Sequence, residues 1–336
     1  WAHGSVNTLY AYLEAGSTHP DAKMLLFESV LRSEGCPSLV ALGTSKTGRI
    51  IGRPHIGGQA VETGGGRIPS IFNYSLKSTR GTEMLAIWHF MQARGCTPKH
   101  LLVEAWPIVV NVDDKWRDNL LPYLDLATLG ALPDGTVEAK GWSAEKVTEA
   151  LTYGRLLLHR RRGELQTALL DRLPKWMRGA RAVTKPKQPN RDGQLWRGTS
   201  YAMTDKNKAS VEEKMRAKAA RDELVFAFNP IEAEALIALR DAVVASDTKL
   251  VLHAPPISEM YREVFSHPDI KDPWCTLRRR LEASTVIFHD DFDADNFEMK
   301  DFSDWAHMNK LGAKRYVTGL LASIRDGQGR VGTWCE

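Results

Sequence analysis

Ser38-Leu-Val-Ala-Leu-Gly-Thr-Ser-Lys-Thr-Gly48 is the stretch that decides the fold. Four apolar residues in a row, stopped by a glycine and a cluster of small polar residues, read as a buried strand running into a tight turn. The next elements continue the theme. Ile68 to Leu76 is a second strand candidate. Residues 80–95 carry Met84, Leu85, Ile87, Trp88 and Met91 at helical spacing, with Thr79 or Thr82 as the expected cap and Gly95 as the stop. Leu101-Leu-Val-Glu-Ala-Trp-Pro-Ile-Val-Val110 reads as a third strand broken at Pro107.

Strand, helix, strand in this order predicts a parallel sheet with right-handed crossovers. The pattern resumes late in the chain. Glu232–Val244 reads as a helix, Lys249–His253 as a strand, Arg278–Glu282 as the end of a helix, Thr285–His289 as a strand and Leu311–Ile324 as a final amphipathic helix. The predicted class is α/β, three layers α/β/α around a mainly parallel sheet, with a helical insertion. Residues 1–38 read as an N-terminal helical segment and 39–336 as the α/β domain, interrupted at about 115–228.

The insertion differs in composition. From Arg155 to Asp222 there are 18 Lys or Arg against 7 Asp or Glu. Its middle, Val183–Asn207, is polar and reads as a loop. So basic a stretch is either a solvated surface or a seat for an anionic polymer.

The whole chain is less biased. It has 336 residues, 43% apolar and 26% charged, with 45 basic and 41 acidic residues. Those proportions exclude a disordered chain and a collagen-like chain, and the length excludes a disulfide mini-protein. A formal charge of +4 says little about partners. No stretch of about 18 apolar residues occurs, so no membrane-spanning helix is predicted. The chain starts at Trp1, which is compatible with a removed signal peptide, an anchor or further sequence. Cys36, Cys96, Cys275 and Cys335 lack the close spacing of a zinc or redox motif; they read as buried free thiols or as two disulfides.

Other motifs fail on inspection. The glycines between 48 and 66 lack both the GxGxxG order and a Gly-Lys-Ser/Thr ending, so no phosphate loop is read there. Asp291, Asp293, Asp295 and Asn296 imitate the start of a calcium loop, but the turn glycine is missing and Phe302 stands at the twelfth position. No metal or cofactor is expected. No aromatic-basic nucleic-acid motif appears, so no nucleic-acid partner is expected either.

Two places carry chemistry. Ser45 follows the first strand, and ligands of open α/β sheets bind beyond the carboxyl ends of the strands. Asp304-Trp-Ala-His307 precedes the last helix. An Asp three residues before a His can orient the imidazole through Nδ1 while Nε2 faces a nucleophile. Closing the sheet would bring the two places to one edge. His253 lines that cleft or is a hydrogen-bonded structural histidine. His289 and Asp290 form a pair or a strand-end turn. Glu104 and Trp106 are candidate substrate contacts, Trp106 also a packing residue.

Leu42-Gly-Thr-Ser-Lys-Thr-Gly48 and Asp304-Trp-Ala-His-Met-Asn-Lys-Leu-Gly-Ala313 resemble the nucleophile block and the acid–base block of the SGNH, or GDSL-like, hydrolase superfamily. Ile71-Phe-Asn-Tyr-Ser-Leu-Lys-Ser78 resembles its second block. The nearest subgroup is similar to bacterial polysaccharide O-acetylation and D-alanyl transfer proteins. The resemblance covers about 39–111 and 248–324. It implies a flavodoxin-like, SGNH-hydrolase-like fold, with Ser45 as nucleophile, His307 as base and then acid, and Asp304 as its orienting carboxylate. The Ser45 N–H would be one oxyanion donor, with Asn73, Ser75, Ser78 and Glu104 as oxyanion or substrate candidates.

The chain departs from the family pattern at three points. It has Gly-Thr-Ser for Gly-Asp-Ser, no evident glycine in the second block, and Val103-Glu-Ala-Trp-Pro107 where Gly-x-Asn-Asp is usual. Loss of that Asn is also a feature of the acyltransferase-like subgroup. The resemblance implies an ester hydrolase or O-acyltransferase working through acyl-Ser45. Its substrate would be an acylated glycan or small ester, outside the cytoplasm, in the periplasm or at the cell surface. A membrane-bound acyltransferase partner is also implied. The alternative is an inactive SGNH-like module that binds glycan through the basic insertion.

Overall fold

The computed structural model describes residues 20–51, 62–63, 66–67, 71–112, 114–153, 209–210, 213, 226–294, 296–304, 306–330 and 332–336. Five strands form one sheet: β1 (Leu39–Leu42), β2 (Ile71–Asn73), β3 (His100–Glu104), β4 (Lys249–Ala254) and β5 (Ile287–Asp290). Their order is β2-β1-β3-β4-β5 and every pairing is parallel. Leu39 registers with Ile71 on one side and His100 on the other. Chain order and sheet order change direction between β1 and β3, the place where such sheets open a ligand crevice.

Alternation along the strands sorts side chains to two faces. Val40, Leu42, Phe72, Leu101, Val103, Leu250 and Leu252 face one layer. That layer holds α1 (Pro20–Glu34), α3 (Gly81–Gln92), α4 (Pro230–Val244) and α5 (Pro268–Leu281). Leu39, Ala41, Leu102 and Val251 face the other, made by α2 (Ser45–Ile50) and α6 (Lys310–Asp326). The result is a three-layer α/β/α fold. The helix α1, expected as part of an N-terminal segment, packs into the first layer through Met24 and Phe27. Phe27 meets Phe72 edge to face, with ring centroids 5.1 Å apart. An aromatic pair of this geometry adds about 0.5–1.5 kcal/mol to the burial of its area.

Two local expectations are corrected. The third strand stops at Glu104 instead of continuing to Val110; Pro107–Val110 form a turn of 3-10 helix. Proline lacks an N–H for the ladder but suits the first position of a helical turn. Helix α3 is capped at Arg80, not at Thr79 or Thr82. Glu83 accepts the Arg80 N–H at 2.8 Å and Glu232, from α4, accepts the Thr82 N–H at 2.8 Å.

The insertion leaves and rejoins the fold at one point. Val112 N donates to Ala227 O at 3.0 Å, and Asn229 N to Val110 O at 2.8 Å. Its described beginning folds back on the core: Leu120, Tyr123 and Trp142 are buried there. Lys140 bridges Glu83 at 2.8 Å and Glu232 at 2.9 Å, so one buried cation pairs with both carboxylates that accept N–H groups at the start of α3. The polar 183–207 stretch and most of the basic 155–222 stretch lie outside the described residues.

All four cysteines are paired, Cys36 with Cys96 and Cys275 with Cys335, which overturns the free-thiol reading. Among the described residues no helix is long and apolar enough to cross a membrane.

Candidate active site

Backbone geometry at the end of β1 sets the site. Gly43 has no room for a side chain: a Cβ there would meet Thr47 Oγ1 and lie 2.5 Å from Glu104 Oε2. Thr44 then caps α2, its Oγ1 accepting the Lys46 N–H at 3.2 Å. Ser45 is the first helical residue. Glu104, the last residue of β3 and fully buried, secures this turn from below. Its carboxylate accepts Thr44 N and Thr44 Oγ1 at 2.7 Å each, Thr47 Oγ1 at 2.6 Å and the Trp106 indole N–H at 2.5 Å. Negative charge at a helix N-terminus is favourable, which suits a carboxylate buried there. Glu104 thus shapes the Ser45 turn and, being fully buried, presents no exposed face, in contrast to the substrate-contact role read from sequence.

The loop before α6 meets this turn. Ser45 Oγ is 2.9 Å from His307 Nε2. His307 Nδ1 is 2.9 and 3.0 Å from the two oxygens of Asp304. Asp304 Oδ1 also accepts the backbone N–H groups of Ala306 and His307 at 2.9 Å, which folds the carboxylate over its own turn. Arg49, one turn beyond Ser45 on α2, reaches Asp304 Oδ2 at 3.4 Å. Asn309 caps α6 by accepting the N–H groups of Leu311 and Gly312, and so fixes where the His307 loop ends.

Charge follows this geometry. Burial would raise Asp304, but its bond to His307 and the charges around it outweigh that and hold the carboxyl well below the usual range. Burial lowers His307, against the pull of Asp304, and the Arg49 and Lys46 charges lower it further. The lowering favours the neutral imidazole, the form that can accept a proton at Nε2.

The structure separates the remaining sequence candidates. Asn73 is fully buried and its amide is spent elsewhere, donating to Thr47 O at 3.0 Å and Ile51 O at 2.6 Å. It brackets α2 from Thr47 to Ile51. Ser75 Oγ donates to Asn73 Oδ1. Ser78 sits half-buried in the turn after β2 with φ of 56°. The first-turn N–H groups of Lys46 and Thr47 go to Thr44 and Glu104; that of Ser45 has no acceptor among the described residues. His253 is a buried structural histidine, between Thr47 Oγ1 at 3.1 Å and Tyr316 OH at 3.0 Å. His289 pairs with Asp291 and Ser323 rather than with Asp290, which goes to Arg278. Among the described residues no cluster of metal-ligating side chains occurs.

Sequence reasoning assigned no role to Lys46, Arg49, Thr47 or Asn309. The one available signal was Glu104, a carboxylate inside an apolar strand, which a buried partner had to satisfy. No family model matches the chain, and no curated protein matches it significantly.

Proposed function

We propose that the chain is a serine-dependent acyl-transfer enzyme, an ester hydrolase or O-acyltransferase. The observation that carries this reading is the continuous contact Ser45 Oγ–His307 Nε2 and His307 Nδ1–Asp304. In the first step His307 Nε2 takes the Ser45 hydroxyl proton as Oγ bonds to the ester carbonyl carbon. The carbonyl electron pair moves onto oxygen, next to the Ser45 N–H. Collapse expels the alcohol, which leaves with the proton from His307 and yields acyl-Ser45. Water or a sugar hydroxyl then repeats the sequence, releasing a carboxylic acid or a new ester. Asp304 keeps the Nδ1 proton in place throughout.

The substrate class rests on the resemblance of the Ser45 and Asp304–His307 blocks to SGNH proteins of polysaccharide O-acetylation and D-alanyl transfer. An acylated cell-envelope glycan is the reading it favours, with a membrane-bound acyltransferase as partner. Two disulfides support an oxidising, extracytoplasmic location. The density of Lys and Arg in 155–222 suits an anionic glycan.

One observation favours a second reading. Asn73 is committed to α2, so the Ser45 N–H is the one oxyanion donor identified, as fits an inactive glycan-binding module. A fluorophosphonate separates the two, because it labels only an activated serine. An active enzyme acquires one adduct, absent in Ser45→Ala, and gives an acetyl adduct or turnover with p-nitrophenyl acetate. No adduct on the folded wild-type protein overturns the enzymatic reading.

A further inference from the structure

Lys46 follows the nucleophile, and its side chain is 5% exposed. A buried lysine needs a reason, because an ammonium group loses its hydration there. Its Nζ donates to Ala306 O at 2.7 Å, the carbonyl just before His307. The same ammonium stands 4.2 Å from the centroid of the Trp106 ring and 5.2 Å from that of Tyr261. Two aromatic faces and one carbonyl therefore hold it between the Ser45 helix and the His307 loop.

We infer that Lys46 is a positioning residue for His307: its side chain ties the loop of the base to the helix of the nucleophile and holds a charge beside the imidazole. The inference rests on the acyl-transfer reading. The tie is geometric, since Ala306 also donates to Asp304, so a shift at its carbonyl moves the Asp304–His307 turn as a unit. The charge acts in the presence of the other groups around it. Asp304 and Arg49 face His307, and Glu104 from β3 and Asp304 face Lys46, with Tyr261 un-ionised beside it. Burial lowers Lys46 to about 7, against the pull of Glu104 and Asp304. Below that pH the cation is present and opposes a second positive charge on His307.

The test is the rate of fluorophosphonate labelling of Ser45 from pH 5 to pH 9. It compares wild type, Lys46→Gln and Lys46→Met, with folding checked by circular dichroism. Lys46→Gln keeps a donor for Ala306 O and loses the charge; its acid limb should move up by roughly half a pH unit or more, with a limiting rate within a few-fold of wild type. Lys46→Met loses donor and charge; it should show the same upward shift and a limiting rate about tenfold lower or less. If Lys46→Met does not fold, the shift in Lys46→Gln decides alone. A wild-type limb in the neutral variant overturns the inference even where the rate falls, because packing alone would then explain Lys46. Absence of wild-type labelling would instead sink the acyl-transfer reading itself.

Discussion

Ser45 Oγ and His307 Nε2 lie 2.9 Å apart with 262 residues of chain between them. The contact exists because α2 and α6 share one face of the sheet, where Ile50 and Ile51 pack in the same cluster as Ala313, Tyr316 and Val317. The two halves of the site are thus held by the apolar core behind them.

On the acyl-transfer reading, Asp304 acts by holding the His307 Nδ1 proton. Asp304→Asn retains an oxygen for the Ala306 and His307 N–H groups but cannot hold the Nδ1 proton as an anion does. The variant should fold like wild type and lose about 10³–10⁴-fold in kcat with p-nitrophenyl acetate, KM changing little. A loss under tenfold would remove Asp304 from the mechanism.

Glu104 is tested by stability. Glu104→Ala strips acceptors from Thr44, Thr47 and Trp106 in a site closed to water. Urea unfolding should show a loss of at least about 3 kcal/mol. Gly43→Ala should also destabilise, since its methyl would press on the same carboxylate.

Asn73 distinguishes support from oxyanion binding. Asn73→Ala should cost about 1–3 kcal/mol of stability by freeing buried carbonyls of α2. Its kcat, measured well below the melting temperature, should fall less than tenfold. Loss of an oxyanion donor typically costs about 10²–10³-fold, and a drop of that size would return Asn73 to the oxyanion role.

Acid should weaken the fold through His253. Burial holds it at about 4, against 6.5 for an unperturbed histidine. Between these values the unfolded chain binds a proton that the folded protein does not, so stability is lost as pH falls from 6.5 toward 4. At pH 5 the His253 share is roughly 2 kcal/mol relative to pH 7. Urea titrations at both pH values should show a shallower dependence in His253→Gln; an unchanged dependence would exclude His253 as the group responsible.

Each disulfide closes a loop across 60 positions, Cys36 to Cys96 and Cys275 to Cys335. A loop of that length is worth about 4 kcal/mol on a chain-entropy account. Dithiothreitol should therefore lower the melting temperature strongly. Four titratable thiols in the denatured, unreduced protein would show that the pairs had not formed.

The sequence by itself determined the sheet. Apolar runs such as Leu39–Leu42 and Leu250–Leu252 read as buried strands, because four or so consecutive apolar residues leave no polar face. The spacing in 80–95 and 311–324 marked helices for a similar reason. Ser45, Asp304 and His307 were also legible as candidates, since each pattern is local in the chain. The partners of the buried polar groups were not. Which carbonyl receives Lys46, which donors Glu104 collects, and whether Asn73 faces the cleft or α2 depend on elements 22 to 260 residues apart. Hydrogen bonds and ion pairs act over a few ångströms and leave no periodic trace along the chain. Only the tertiary structure decides them, and it also decided the cysteines, whose pairing depends on how close folding brings their Cα atoms.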